Sequence, residues 1–319
     1  MRGLVLGLLL LVTCSVGAED ALDEVVVSGE QPGPGLWQVK SGANTLWILG
    51  THSPLPKKME WRAKQVEAVI ASSQTVIAPP DIRSGIGFFT TLRILPTMMR
   101  AASIPDDGTL ATLLPPQLYA RWSVVAKHYS VSGRTERMRP SIAALALSQK
   151  ALDAEQLSER EVIWPVVQKL ARRHDVLVRQ PTVNLDIKDP KGLLKDYARM
   201  DPSVEINCLD GVVARIEHEI PRLRSEANAW ATGDVAPLRK VRIDPVVDRC
   251  REALAGSPQL AAMVEKAQQK YRLELLLAWE GALQRDRSAL ALAPIAELLG
   301  NDGLLNQLRQ RGYQVIEPQ

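Results

Sequence analysis

Two strand–helix–strand patterns, one near each end of the chain, most restrict the fold that this sequence can adopt. In the first, alternating apolar residues over 36–41 and a continuous apolar run over 45–50 predict a β-hairpin. Helical spacing over 59–72 and an apolar strand over 75–79 extend this hairpin into a β-α-β unit. Such units usually contribute parallel strands to a sheet whose faces are covered by helices.

A second β-α-β unit lies near the C-terminal end, where a helix over 302–311 joins strands over 288–294 and 313–318. Between the two units, residues 86–284 have mostly helical spacing, and only 176–187 look extended. The amphipathic segments of this centre lie at 116–128, 140–153, 159–173, 203–230, 245–254 and 258–284. The sequence therefore predicts an α/β fold (α+β-like) with a central mixed sheet, built from the N- and C-terminal units, and a large helical insertion between them.

The first residues predict export. Arg2 precedes an apolar stretch over 4–12, which is too short to span a bilayer and is followed by small residues ending at Ala18. This is the pattern of a secretory signal peptide over 1–18, so we expect a periplasmic or secreted protein. No later segment contains the roughly 20 apolar residues that a membrane helix needs, so we expect no membrane span in the mature chain.

The rest of the chain is predicted to form one domain. Residues 19–34 look like a flexible leader that Gly and Pro close just before the first strand. The domain itself is expected over 35–319, with the first β-α-β half at 35–85, the helical insertion at 86–284 and the second half at 285–319.

The cysteines fit an oxidising compartment. We do not expect lipidation of Cys14, because Thr13 is unusual before the cysteine of a lipoprotein signal. Cleavage would leave Cys208 and Cys250, an even pair, and neither belongs to a CxxC or CxxH cluster. We therefore predict a disulfide between them.

Composition and missing motifs exclude several classes of function. The 39 Lys and Arg nearly balance the 36 Asp and Glu, and the net charge of +3 argues against a nucleic-acid partner. The sequence contains no GxGxxG or GxxxxGK[ST] pattern, which argues against the usual nucleotide sites. It also lacks the GxSxG elbow of many serine hydrolases.

The motifs at the two ends resemble those of the TraB/GumN family. The hairpin that runs into Leu-Gly-Thr at 49–51 and the strand over 75–78 look like the opening of that family. The ending ELLGNDGLLNQLRQRGYQV over 297–315 is similar to its last motif, and the segment from Trp230 to Asp234 resembles its Trp-x-x-Gly-Asp stretch. The family is related to Tiki proteases and to erythromycin-esterase-like and haem-uptake proteins, so the resemblance implies a βα-repeat fold with a metal-dependent or acid–base site.

The resemblance also shows that this chain departs from the family at its ligand positions. The family has a Gly-x-x-His motif after the first hairpin, where this chain has His52 followed by Ser53 at the histidine position. The family's Glu after the next strand corresponds to Pro79, which has no polar side chain. The second Gly-x-x-His corresponds to Pro294 through Glu297. All three ligand-bearing positions have changed.

Two functions follow from this comparison. We expect an exported envelope protein on a metalloprotease-like scaffold, a pseudoenzyme that needs no cofactor and binds a peptide, a small molecule or an envelope protein. The alternative is an active metal-dependent hydrolase, peptidase-like, in which His52, Asp81 and Glu297 are relocated ligands of a divalent metal. If no site has been rebuilt, we expect His52 to hydrogen-bond in a turn, Asp81 to cap the next helix and Glu297 to be exposed.

Two further residues are weaker candidates for catalysis. Ser53 has no His–Asp partnership visible in the sequence, which disfavours a serine hydrolase. Arg285, just before the last unit, could orient a carboxylate of a substrate or of the protein, or form a surface ion pair.

Overall fold

The structure is a computed structural model. It describes residues 33–159, 162–239, 250, 257–300 and 302–318. The predicted signal peptide, almost all of the leader and most of the predicted helix over 245–254 lie outside these residues.

A six-stranded mixed sheet forms the centre of the fold and confirms the predicted α/β class. The strands are β1 (Leu36–Ser41), β2 (Asn44–Thr51), β3 (Leu55–Pro56), β4 (Thr75–Ile77), β5 (Asp81–Arg83), β6 (Leu157–Ser158), β7 (Leu177–Arg179), β8 (Thr182–Asn184), β9 (Ser288–Pro294) and β10 (Gln314–Ile316). In the central sheet the order is β10-β1-β2-β9-β4-β7. The β1 strand is antiparallel to β10 and β2, whereas β2, β9, β4 and β7 run parallel. The other strands form two small pairs, β3 with β6 and β5 with β8.

The two β-α-β units interleave in the sheet. The β9 strand of the second unit lies between β2 and β4 of the first, so β2 and β4 are not neighbours, and β9 and β10 of the second unit are not neighbours either. Thr51 is in register with Pro294, and Ile77 with Ala291. Because parallel strands end at one edge, the chain segments that follow β2, β4 and β9 meet at the same side of the sheet.

Helices cover the sheet and fill the insertion. They are α1 (Lys64–Ala71), α2 (Phe88–Ala102), α3 (Leu110–Leu113), α4 (Pro116–His128), α5 (Pro140–Ala154), α6 (Trp164–Arg173), α7 (Pro190–Ala198), α8 (Pro202–His218), α9 (Ile220–Thr232), α10 (Val235–Leu238), α11 (Pro258–Arg285), α12 (Ile295–Leu298) and α13 (Leu304–Gln310). A 3₁₀ helix spans Gly133–Arg137. Nothing within the described ranges is long and apolar enough to cross a membrane as a helix.

The structure divides one predicted helix and adds two longer ones besides the four-residue helices α3, α10 and α12. The segment over 203–230 is two helices, α8 and α9, because Pro221 has no backbone N–H with which to continue the helical ladder. The helices α2 and α7 were not among the predicted segments. Pro96 lies inside α2, and Gly192 lies inside α7. Both residues lower helix propensity, so tertiary packing decides these two elements.

The buried side chains form two main cores. Leu46, Ile48, Leu290 and Leu292 of the sheet pack with Trp279 of α11 in the larger one. The insertion has its own core, in which α4, α5 and α8 contribute most of the buried residues: Leu118, Trp122, Val125, Ala143, Ala144, Leu147, Ala151, Cys208, Leu209, Val212, Val213 and Ile216. The predicted Cys208–Cys250 disulfide is present in the structure and is attached to α8 in this second core.

Candidate functional site

His52 lies directly after β2, at the edge where the parallel strands end. Its side chain is only 6% exposed, and its Nε2 atom has no hydrogen-bond partner among the residues that the structure describes. The nearest carboxylate is that of Glu226 on α9, whose Oε2 lies 3.7 Å from Nε2. A buried imidazole beside a carboxylate is therefore the central feature of this edge.

Helix α9 is held over this edge by Trp230. The indole N–H of Trp230 donates a hydrogen bond of 2.7 Å to the carbonyl oxygen of Gly50. The Trp230 ring also packs edge-to-face on Trp61, with 5.4 Å between ring centroids. Position 50 has no room for a side chain, because a Cβ would lie 2.6 Å from atoms of Trp37 and Ile295. Glycine thus permits close packing where β2 ends, and α9 places Glu226 opposite His52.

The remainder of the Trp-x-x-Gly-Asp segment ends this helix and begins the next. Gly233 follows α9 with a φ of 76°, a left-handed conformation that favours glycine. The Asp234 carboxylate accepts a hydrogen bond of 3.1 Å from the Ala236 backbone N–H and caps α10. This motif therefore places α9 on the sheet and supplies no reactive group of its own.

Burial determines the charge state of His52. Desolvation lowers the pKa of His52 from its ordinary value of 6.5 to about 4, so the ring is neutral at pH 7. Glu226 also approaches Arg222, with 3.4 Å between Oε1 and the Arg222 Nε atom. The 3.7 Å contact therefore joins the neutral imidazole of His52 to the Glu226 carboxylate, which also forms an ion pair with Arg222.

We expect the stability of the protein to fall between pH 7 and pH 4 because of His52. The unfolded chain binds this proton near pH 6.5 and the folded chain only near pH 4, so the loss as the pH falls should reach about 3 kcal/mol. Chemical unfolding over this range, compared with His52→Gln, measures the contribution, and NMR titration of the imidazole gives the pKa directly. A His52 pKa above 6.5 would contradict this prediction and would mean that Glu226 governs the ring as an ion pair.

Glu297 lies at the same edge and is engaged with α11. It belongs to α12, which follows β9, and its Oε2 accepts a hydrogen bond of 2.6 Å from the Arg272 Nε atom. Burial and the nearby Glu297 carboxylate raise the pKa of Tyr271 to about 12. Glu297 is only 19% exposed, so the expectation that it is an exposed residue was wrong.

The remaining predicted positions have partners elsewhere. The Ser53 hydroxyl donates a hydrogen bond of 3.1 Å to the Glu159 carbonyl oxygen. Pro79 offers only its carbonyl, which accepts a hydrogen bond of 3.2 Å from Gln180. Asp81 lies in β5, where it accepts a hydrogen bond of 2.9 Å from Arg83. The expectation that Asp81 caps the next helix was therefore wrong, because Gly87 holds that position before α2.

The described residues do not fit a divalent metal at this edge. No group of three or more His, Cys, Asp or Glu side chains within the described ranges is arranged to hold a metal ion. His52, Asp81 and Glu297 face Glu226, Arg83 and Arg272, respectively. The structure therefore does not bring the three proposed ligands together. Arg285 forms an ion pair with its neighbour Asp286, with 3.1 Å between Nε and Oδ1.

A family comparison agrees with the order of elements and motifs. The family model described as TraB/PrgY/gumN family matches residues 35–317. The chain belongs to this family. Its match spans both β-α-β units, the helical insertion and the edge that carries His52. The chain matches no curated protein and no solved structure.

Glu226 is the functional candidate that the sequence reasoning missed. It lies four residues before Trp230 on α9, and this spacing places both side chains on one face of the helix. That spacing was the available signal. The sequence could not indicate that this face of α9 packs against the end of β2, where His52 lies.

Proposed function

We propose that this TraB/GumN-family protein is exported and binds a ligand or partner at the carboxyl edge of its sheet without metal-dependent hydrolysis. The ligand class is a peptide, a small molecule or another envelope protein. The observation that carries the proposal is the state of the three positions at which the family has its ligands. Ser53 is turned to a backbone carbonyl, Pro79 has no side-chain donor, and Glu297 is bound to a guanidinium.

These three positions argue against a metal for separate reasons. A divalent metal at a hydrolytic site usually needs three protein ligands such as His, Asp or Glu. A proline side chain cannot supply one, and a serine hydroxyl is a poor substitute for an imidazole. A metal ion at Glu297 would also have to displace the Arg272 guanidinium from a hydrogen bond of 2.6 Å.

The same edge offers groups that suit an anionic ligand. Arg222 contacts Glu219 and Glu226, Arg272 contacts Glu297, and the two side chains are 50% and 35% exposed. A guanidinium has five N–H donors, and the contact of Arg272 with Glu297 uses the one on Nε, so donors remain for the carboxylate of a peptide or small molecule. The exposed Ser53 would lie at the margin of such a site.

One observation favours the alternative function of an active metal-dependent hydrolase. The Nε2 atom of His52 is buried and has no hydrogen-bond partner within the described residues, and it lies at the edge where the family places its site. Orphaned buried polar atoms are uncommon and often have a functional cause. If the protein is such a hydrolase, the carboxylate that acts beside His52 is that of Glu226. The sequence had instead indicated Asp81 and Glu297 as the partners of His52.

Metal analysis separates the two functions. We expect the mature protein, purified without chelators, to contain far less than one divalent metal ion per chain, and His52→Ala to contain no less than the wild type. His218→Ala is the matched control, because His218 is an exposed histidine at the end of α8. Stoichiometric metal that is lost in His52→Ala but retained in His218→Ala would overturn the proposal in favour of the hydrolase.

Site-specific photo-crosslinking tests the binding part of the proposal. A photoreactive amino acid at the exposed position 53 is expected to give adducts in the intact cell envelope, and one at position 124 is not. Val124 is a suitable control because it is 70% exposed and lies on α4, in the helical insertion. Equal labelling from both positions, or none from position 53, would contradict a binding site at this edge.

A further inference from the structure

Helix α2 presents its apolar side to solvent. The side that packs on the protein is marked by Ile94 and Ala101, which are buried. The most exposed large apolar residues of the helix are Phe88, Phe89 and Leu92, at 75%, 83% and 59%. An ordinary surface helix has the reverse arrangement, with polar residues outward.

The exposed residues form a continuous stripe. Phe88, Leu92, Leu95 and Met99 follow one another at intervals of four, three and four, and all are exposed. At about 100° per residue these positions share one face of the helix, opposite to that of Ile94 and Ala101. Contiguous exposed apolar surface of this kind marks an interaction site more often than isolated exposed residues do.

The charged residues of α2 itself are both cations, Arg93 and Arg100. Outside the helix, Arg83 is paired with Asp81, and Asp107 lies 3.6 Å from the Arg137 guanidinium. Both arginines of α2 are exposed. The neighbouring helix α7 adds no net charge, because its two lysines are balanced by Asp196 and by the capping residue Asp189. The helix thus combines an apolar stripe with positive charge only, which is complementary to a surface that has an apolar interior and anionic groups at its face.

We propose that α2 docks the protein on an anionic phospholipid surface, lying in the membrane interface with Phe88, Phe89 and Leu92 inserted. The helix has 15 residues, which is about 22 Å at about 1.5 Å per residue. It is therefore too short to span the hydrocarbon core, and an interfacial position parallel to the membrane fits its length and amphipathic pattern. Arg93 and Arg100 would contact lipid phosphates.

Charge disfavours a second copy of the chain as the occupant of this surface. In a two-fold dimer each copy presents the same patch to the other, so the stripes of both copies would face each other. Such a pairing would bring the arginines of the two α2 helices together, and α2 contains no acidic residue that would compensate them. Anionic lipid removes this repulsion and covers the apolar stripe.

Vesicle flotation tests the proposal. The probe is the chain without residues 1–18, mixed with vesicles of phosphatidylcholine alone or with added phosphatidylglycerol. We expect flotation with the anionic vesicles, and we expect Phe88→Ser/Phe89→Ser to weaken binding about tenfold or more because two aromatic side chains no longer insert. Arg93→Glu/Arg100→Glu should also weaken binding, and high salt should weaken that of the wild type.

The control variant is Val124→Ser/Leu145→Ser, which removes two exposed apolar residues from α4 and α5 in the insertion. It should bind vesicles like the wild type, and circular dichroism should show all variants folded. No flotation with anionic vesicles, or equal weakening by the control variant, would overturn the proposal. Lipid-independent dimerisation that the Phe88→Ser/Phe89→Ser variant abolishes would overturn it in favour of self-association. None of these outcomes depends on metal or ligand binding at the carboxyl edge of the sheet.

Discussion

Replacing Glu205 with glutamine is expected to lower the free energy of unfolding by about 3–5 kcal/mol, because it breaks a buried ion pair and leaves one charge uncompensated. Glu205 is fully buried on α8, and its Oε1 accepts a hydrogen bond of 2.6 Å from Nε of Arg139, itself 5% exposed. Its other oxygen accepts a hydrogen bond of 2.7 Å from the Ser141 hydroxyl. The Arg139 guanidinium also donates to the carbonyl oxygens of Ala198 and Met200. The network joins α5, α7 and α8.

Urea unfolding of Glu205→Gln measures this effect, with Arg83→Gln as the control. Arg83 pairs with Asp81 on the surface, where their side chains are 66% and 43% exposed, so its loss should change stability by no more than about 1 kcal/mol. The double variant Arg139→Met/Glu205→Leu should recover part of the stability, because it removes both charges together. Equal stability of Glu205→Gln and wild type would contradict a buried ion pair.

Reduction of the Cys208–Cys250 disulfide is expected to lower the free energy of unfolding by about 4 kcal/mol in the chain-entropy model, because the bond closes a long loop. The two cysteines are 42 residues apart in the sequence. Cys208 is buried in the core of the insertion, so the bond ties residue 250 to α8. Much of the segment between them in the sequence forms α8 and α9.

Thiol titration of the unreduced mature protein under denaturing conditions checks the bond first, and no free thiol is expected. Unfolding with and without reductant then gives the stability difference. The Cys208→Ala/Cys250→Ala variant is the control, since reductant should not alter its stability. Two titratable thiols per mature chain, or a reductant effect that persists in this variant, would contradict the prediction.

Both predictions bear on the candidate site through one connection in the chain. The α8 helix carries Glu205 and Cys208, and α9 follows it after a single residue, Glu219. The α9 helix in turn brings Glu226 to His52 and binds the edge of the sheet through Trp230. A change that destabilises α8 should therefore also make the side chains around His52 more mobile, through the connection from α8 to α9.

The fold was largely predictable where local pattern and tertiary position agree. The hairpin, the strand over 288–294 and the helix over 116–128 follow directly from apolar spacing, because one face of each is buried. The α2 helix escaped the same reasoning. Its apolar residues have helical spacing, but Pro96 lies within the segment, and proline normally ends or kinks a helix.

The candidate site was predictable in location but not in content. A strand that ends at Gly50 and Thr51 indicated the edge of the sheet at which His52 lies. The carboxylate next to His52 could not be found in this way. Glu226 belongs to a helix far along the chain, and its approach depends on how α9 packs against the end of β2.

The sequence by itself determined the class of fold and the cysteine pair, since periodicity and residue identity are local properties. Only the tertiary structure decided the partner of each polar side chain at the sheet edge. Trp230 binds Gly50 across 180 residues, and Arg272 on α11 meets Glu297 after the chain has passed through β9. Such contacts depend on the packing of whole helices and strands against one another, and short-range sequence patterns do not encode that packing.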